Sequence, residues 1–283
     1  MPGMSVRAVG SRPVVGVLHP GAMGAAVGSA LKPVAGAVIW AAAGRSVTTG
    51  KRAELADLIG VADVADLARR ADVIVSVCPP HAALEVAGQV AAALDGRPER
   101  PLYLDANAVS PDTVRRIAEL LGGDTVVDGS IIGPPAWEPG STVLWLSGRR
   151  TARVAGLFEG SPFRPRVLGE ELGTASGLKA CFALQSKALP ALRLAMSAAA
   201  AGYGVTDALR EELARTGAEA PPDGPTPRVS AAASRWVGEM EQAGDALAAV
   251  GVPDGFSRAA ARVYRQLADQ DGTDRANVRG LGG

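Results

Sequence analysis

A chain of 283 residues, 47% hydrophobic and 20% charged, is long enough to bury a substantial core in one large or two ordinary domains. Its 29 Lys and Arg balance 29 Asp and Glu, and aromatics make up only 4%, which argues against the basic excess and stacking surface of a nucleic-acid binder. With two His and two well-separated cysteines, Cys78 and Cys181, neither a zinc cluster nor a disulfide framework is expected, which fits a reducing cytoplasm.

The first 13 residues read as a loose leader with no signal-peptide core. Val14 to Leu18 is a short β-branched run and reads as a buried strand. A turn, His19 to Gly24, leads into an Ala-rich helix ending at Leu31. Val34 to Trp40 reads as a second strand, Ala53 to Leu58 as a short helix, and Val61 to Leu67 as a strand start followed by a helical turn. Val73 to Val77 is a third apolar strand, closed by Cys78-Pro79-Pro80. Helix 82–94, strand 101–105, helix 111–121, strand 125–128, strand 143–146 and helix 151–158 continue the alternation. Strands alternating with helices imply an α/β fold with a doubly wound parallel sheet.

Beyond about residue 170 the strand signals stop. Thr174 to Ala201 reads as one long helix with a kink at Pro190. It carries the longest strongly apolar stretch, residues 195–201, which is mostly Ala and too short for a bilayer span. Thr206 is expected to cap the next helix, which runs to Arg215. A Pro/Gly-rich loop at 217–227 precedes helices at 229–249 and 256–269, and a Gly- and Arg-rich tail from Asp271 reads as disordered. The division expected is a dinucleotide-binding domain over residues 1–170 and an all-helical domain over 171–283.

The strand–turn–helix at 14–31 is where a dinucleotide pyrophosphate would sit. The usual turn is GxGxxG, and here His19, Gly21 and Gly24 hold its three positions. Gly21 admits the pyrophosphate to the backbone, Gly24 lets the helix pack on the strand, and the helix N-terminus supplies N–H donors. His19 departs from the pattern. Between Gly36 and Ala53 there is no acidic residue to hold a ribose 2′-hydroxyl; Arg45, Ser46, Thr48, Lys51 and Arg52 stand there instead. A guanidinium with neighbouring hydroxyls suits a 2′-phosphate, so NADPH is expected over NADH.

These motifs resemble the 3-hydroxyacid dehydrogenase superfamily, which includes 3-hydroxyisobutyrate and 6-phosphogluconate dehydrogenases and to which imine reductases are related. The resemblance spans about residues 14–270, on a branch whose C-terminal domain is related to that of phosphogluconate dehydrogenase. Val15 to Gly24, ending Gly21-Ala22-Met23-Gly24, is similar to the family's N-terminal signature, and implies cofactor contacts from His19, Pro20, Gly21, Ala22, Met23 and Gly24. Asp72 to Pro80 resembles the segment lining the nicotinamide ribose, implying contacts from Cys78, Pro79 and Pro80. Asp105 to Pro111 matches the segment after the next strand, with Asn107 implied in cofactor binding. Asp128 to Pro135 follows the substrate signature and implies Ser130, Ile132 and Gly133 at the substrate. Gly173 to Lys179 matches the segment of the catalytic lysine. Ile132 replaces a serine that usually binds a substrate carboxylate, and Phe182 and Ala183 stand where an Asn usually follows the lysine.

Hydride transfer to a carbonyl leaves charge on oxygen, and a nearby cationic acid both stabilises it and delivers the proton. Lys179, early in the long helix and facing the cleft between the domains, is assigned that role, with burial and the helix N-terminus lowering its pKa. Ser176 and Ser186 are candidate partners for the substrate, and Lys187 reads as a second cation or, preferably, a solvated one. His81 lies at the nicotinamide end or is an exposed loop residue; Trp137 walls the substrate pocket or covers the core edge. The activity expected is an NADPH-dependent oxidoreductase acting on a hydroxy acid or ketone. An imine reductase is the alternative, and a non-catalytic nucleotide sensor a third reading. The helix at 174–201 is apolar nearly all round and must be buried on most faces. A homodimer is therefore expected, with small-molecule substrate, no nucleic acid, no membrane, and no metal.

Overall fold

Val14–Val17 (β1) is apolar throughout and almost wholly buried, as a strand covered on both faces must be. It leads through a turn into Ala22–Leu31 (α1), whose small residues let the helix lie close to the sheet. The chain continues with Ala37–Ala41 (β2), Val47–Leu55 (α2), Ile59–Val61 (β3), Val64–Arg70 (α3), Val73–Ser76 (β4), Ala83–Ala93 (α4), Leu102–Asp105 (β5), Pro111–Leu121 (α5), Val126–Ile132 (β6), Val143–Ser147 (β7), Thr151–Phe158 (α6) and Arg164–Gly169 (β8). This computed structural model describes residues 5–6 and 12–280, and side chains from 12 to 270.

These eight strands form one sheet in the order β8-β7-β6-β5-β4-β1-β2-β3. The run β3-β2-β1-β4-β5-β6 is the doubly wound order of dinucleotide-binding folds. Its switch point lies between β1 and β4, so the loops that leave those strands, at His19 and Cys78, open on one crevice. All neighbours are parallel except β6 and β7, which run antiparallel. The link 133–142 is short and contains no helix, so it can join only antiparallel strands. One core cluster, with Val15, Val17, Leu104, Leu146 and Phe158, fills one face of the sheet; a second, with Ile39, Ile74, Tyr103, Val114 and Ile117, fills the other.

Several boundaries depart from the sequence reading. Strand β8, Arg-Pro-Arg-Val-Leu-Gly, was not expected; it is a mostly exposed edge strand, where Pro165 needs no ladder partner. Helix α2 starts at Val47 rather than Ala53, because the Ser46 hydroxyl caps it by accepting from the Thr49 amide. The leader reading falls mainly outside the described residues; Ser5–Val6 pairs in parallel with Glu99–Arg100.

The chain divides into two compact units, Met1–Lys179 and Ala180–Gly283. The division lies after the expected one at residue 170 because the first turn of the next helix is bonded to β6, as described below. That helix is Thr174–Ala183 (α7), continued by a π-helical turn at Leu184–Ala188 and by Leu189–Gly202 (α8). The discontinuity expected at Pro190 is thus a π turn just before it, a usual way of absorbing a break in the helical ladder. Thr206–Arg215 (α9), Pro227–Ala249 (α10) and Gly255–Gly280 (α11) complete the second unit. Thr206 is the first residue of α9 and not its cap; Val205 precedes it without a side-chain bond. The tail read as disordered continues α11 to Gly280, and residues 281–283 lie outside the described residues. In the second unit Trp236 and Tyr264 stack edge to face, their centroids 5.1 Å apart, among Ala180, Ala233, Met240 and Ala261.

Candidate functional site

The turn after β1 is built from backbone bonds. Gly21 N–H donates to His19 O at 2.8 Å and Ala25 N–H to Gly21 O at 2.9 Å. A Cβ on Gly24 would overlap the His19 carbonyl oxygen, so only glycine lets α1 approach the strand this closely. Around Gly21 there is open room, with no atom within 4 Å of where a Cβ would be. No side chain caps α1 and its first turn has no acidic residue, so the first amides remain available to an anion. Of the other turn residues, Pro20 and Gly24 are buried, Met23 is half-buried against the core and Ala22 is exposed.

Arg45, in the loop after β2, folds back onto the turn. Its Nη1 lies 2.5 Å from His19 Nε2. Burial, and then the Arg45 charge, push the His19 imidazole down to about 4. His19 is therefore neutral near pH 7, and with Nε2 accepting from the guanidinium its proton sits on Nδ1. His19 Nδ1 and Arg45 Nε are both buried without a protein partner. Two unspent donors beside an uncapped helix N-terminus form a set that fits the phosphates of a dinucleotide. Ser46 is exposed and its hydroxyl is engaged with Thr49.

The loops after β4 and β5 are laced together by Asn107. Its Oδ1 accepts from Cys78 N–H at 2.6 Å, while its Nδ2 donates to Ser76 Oγ at 3.1 Å and to Asp105 Oδ2 at 2.8 Å. Asn107 is thereby spent inside the fold, where it shapes the Cys78 loop. The Cys78 thiol, which also feels Arg45, is pushed up to about 12, chiefly by burial. His19, Arg45, Cys78 and Asn107 leave four neighbouring strands at their carboxyl ends, so the structure brings these expected residues to one place. Pro79 and His81 are exposed and Pro80 is half-buried.

Beneath this edge lies a row that the motif reading passed over. The registers pair Ser76 with Asp105, Asp105 with Asp128, and Asp128 with Ser147 across β4, β5, β6 and β7. All four side chains are fully buried. Asp128 accepts from Ser147 Oγ at 3.0 Å, from Ser176 N–H at 2.9 Å and from Ser176 Oγ at 2.7 Å, while Ala175 N–H donates to Ser147 Oγ at 3.0 Å. The sheet therefore caps α7, satisfying amides that a helix N-terminus leaves open and placing negative charge at its positive end. Ser176, expected at the substrate, gives its hydroxyl to Asp128 and is buried. Burial pushes the Asp128 carboxyl up. Asp105 is pushed up to about 7, by burial first and also by the Asp128 charge, with Asn107 and Lys179 pulling it down. The signal was an acid closing an otherwise apolar strand, Leu102-Tyr103-Leu104-Asp105, and another just after Val126-Val127.

Lys179 is half-buried one turn beyond Ser176, three residues on, and so on the same side of α7. Its charge acts on Asp105. Ser130 is fully buried in β6 with no protein partner for its Oγ. Ile132 ends that strand, and Gly133 follows at φ 136°, where a Cβ would collide with Thr142. Trp137 is 53% exposed rather than packed at the core edge. Lys187, preferred as solvated, is instead largely buried; it pairs with Glu239 at 3.2 Å and lies 6.0 Å from the Trp236 ring centre. Ser186 donates to Phe182 O at 2.9 Å. Among the described residues no group of three or more His, Cys, Asp or Glu could hold a metal ion, and no helix is long and apolar enough to cross a membrane.

Residues 200–267 match the family model described as Domain of unknown function (DUF1932). An uncharacterized 28.5 kDa protein of Methanothermus fervidus is 31% identical over 174 residues; the match covers 61% of this chain and 65% of that relative's length. Among solved structures, a conserved protein of unknown function with structural similarity to 3-hydroxyacid dehydrogenases is 25% identical. That match covers 90% of this chain and 97% of the other, with a TM-score of 0.63. The Mycobacterium tuberculosis 3-hydroxyisobutyrate dehydrogenase, solved with L-serine, is 18% identical over 91% of this chain and 94% of its own, with a TM-score of 0.66.

Proposed function

Because the chain has the fold of the 3-hydroxyacid dehydrogenases, we propose that it is an NADPH-dependent oxidoreductase of a small hydroxy acid or ketone, with Lys179 as its general acid and base. The observation that carries this reading is the pairing of an uncapped helix N-terminus at Gly21 with the unspent donors of His19 and Arg45. The first amides of α1 receive the pyrophosphate, and Arg45, with Ser46 beside it, receives the 2′-phosphate. The dinucleotide supplies or accepts the hydride. Lys179 stabilises charge on the substrate oxygen and moves its proton, while Ser130, Ile132, Gly133 and Trp137 line the substrate's side of the crevice.

Replacing Arg45 by Ala is expected to raise the Kd for NADPH at least tenfold more than that for NADH. A charge-assisted bond of about 1.5–3 kcal/mol is lost only where a 2′-phosphate is present. Fluorescence titration with both cofactors measures this, and equal losses would remove the assignment.

Imine reduction is the second reading, favoured by Ile132 at the end of β6, where a carboxylate-binding hydroxyl would otherwise stand. NADPH oxidation measured against panels of keto acids, ketones and cyclic imines separates the two, and absence of turnover on every panel would point to a nucleotide sensor. The assembly proposed is a homodimer. Phe182 in α7 and Leu189 and Leu192 in α8 leave apolar surface exposed, at 45%, 40% and 63%. Sedimentation at micromolar concentration is expected to give twice the 28.7 kDa chain mass; a monomer with full activity would contradict it.

A further inference from the structure

Resting on the reading of Lys179 as the acid, we infer that Asp105 is its positioning residue, a buried carboxylate under the first turns of α7 that holds the Lys179 ammonium in its charged form. Three observations place it there. The strand register sets Asp105 directly beside Asp128. Asp128 grips Ser176 through both its amide and its hydroxyl, which fixes the rotation of α7. Lys179 lies one turn on, on the same side of α7, and its charge interacts with Asp105.

Asp128 on β6 opposes the ionisation of Asp105, and Lys179 on α7 favours it. Tyr103 on β5 and the Cys78 thiol are both pushed up by burial, with the Asp105 charge adding to the rise. Lys179 is thus the cation among these groups that acts on Asp105. Two buried carboxylates side by side do not both ionise freely, so the pair and the lysine titrate as a coupled set. Asn107 holds Asp105 in place through its amide and side chain, at 3.2 and 2.8 Å. This gives Asp105 a fixed position.

The test reads the lysine directly and needs no substrate. The full chain has four lysines, Lys32, Lys51, Lys179 and Lys187. Wild type and Asp105→Asn are labelled with an acetylating reagent across pH 6–11, and each lysine is quantified by peptide mass spectrometry, with Lys51 as internal reference. Loss of an opposite charge at close range is expected to lower the Lys179 labelling midpoint by about one to three pH units. At pH 8 its labelling relative to Lys51 should rise at least tenfold. An unchanged Lys179 midpoint in a folded Asp105→Asn chain overturns the inference. Should that variant fail to fold, the reciprocal is measured in Lys179→Met. The Asp105 carboxyl, followed by its 13C resonance, is expected to titrate at higher pH than in wild type, and an unmoved midpoint overturns the inference equally. A shifted Lys179 in a chain that turns over no substrate would support the coupling and sink only the proposed activity.

Discussion

Lys179→Met is expected to lower turnover by about 10²- to 10⁴-fold, the usual contribution of one positioned acid, while leaving NADPH binding within about twofold. Methionine keeps the length and apolar stem of lysine but cannot carry the proton or the charge. The proposed cofactor set at Gly21, His19 and Arg45 comes from the loops after β1 and β2. Binding and chemistry should therefore separate cleanly. Initial rates of NADPH oxidation on the substrate found by the panel screen, with fluorescence titration of NADPH on the same preparations, measure the two. A variant with near-wild-type rate on a carbonyl substrate would falsify the assignment of the acid. Near-wild-type rate on an imine alone would favour the second reading, since an imine carbon develops no oxyanion.

The second large effect is expected at Asp128. Asp128→Ala should lower the free energy of unfolding by about 3–5 kcal/mol, because it leaves several buried donors unpaired at once. Those donors are the Ser147 hydroxyl, the Ser176 amide and the Ser176 hydroxyl. Alanine also removes the negative charge from the N-terminus of α7. Since the same bonds set the rotation of α7, activity should fall even in the molecules that remain folded at 20 °C. Urea denaturation gives the stability change, and rates on the folded fraction give the second. Asp128→Asn, which keeps one acceptor, should lose less of both. A loss below about 1 kcal/mol with normal turnover would show that α7 is held by other means.

Much of the first unit was legible because its signals are local. The run Val14 to Val17 is a strand by its own apolar character, and Gly24 is required where the helix meets the His19 carbonyl. Arg45 stood out through the absence of any acid between Gly36 and Ala53, but its contact with His19 is a tertiary one that no local signal carried. The region from α7 onward was less legible. Ser176 carried a polar side chain at a promising place, but its hydroxyl is consumed by a carboxylate 48 residues away in sequence. Lys187 looked like any helical lysine, yet Glu239 on a different helix holds it. Strand β8 was missed because its half-polar sequence with Pro165 gives no alternation, and only its neighbour β7 makes it a strand.

Short-range pattern thus sufficed for most of the succession of strands and helices, the glycine turn after β1 and the change from α/β to helices near residue 170. Each depends on residues within about one helical turn or one strand, where backbone preference and burial act directly. What the tertiary structure alone decided is which polar groups meet. Asp105 and Asp128 lie 23 residues apart in the chain, yet the β5–β6 register makes them neighbours. Ser147 joins them through the antiparallel β6–β7 pairing, and Ser176 through the docking of α7. Register and docking are set by the summed packing of whole elements, so no motif at one position carries them. The charge environment of Lys179 belongs to that second kind of information.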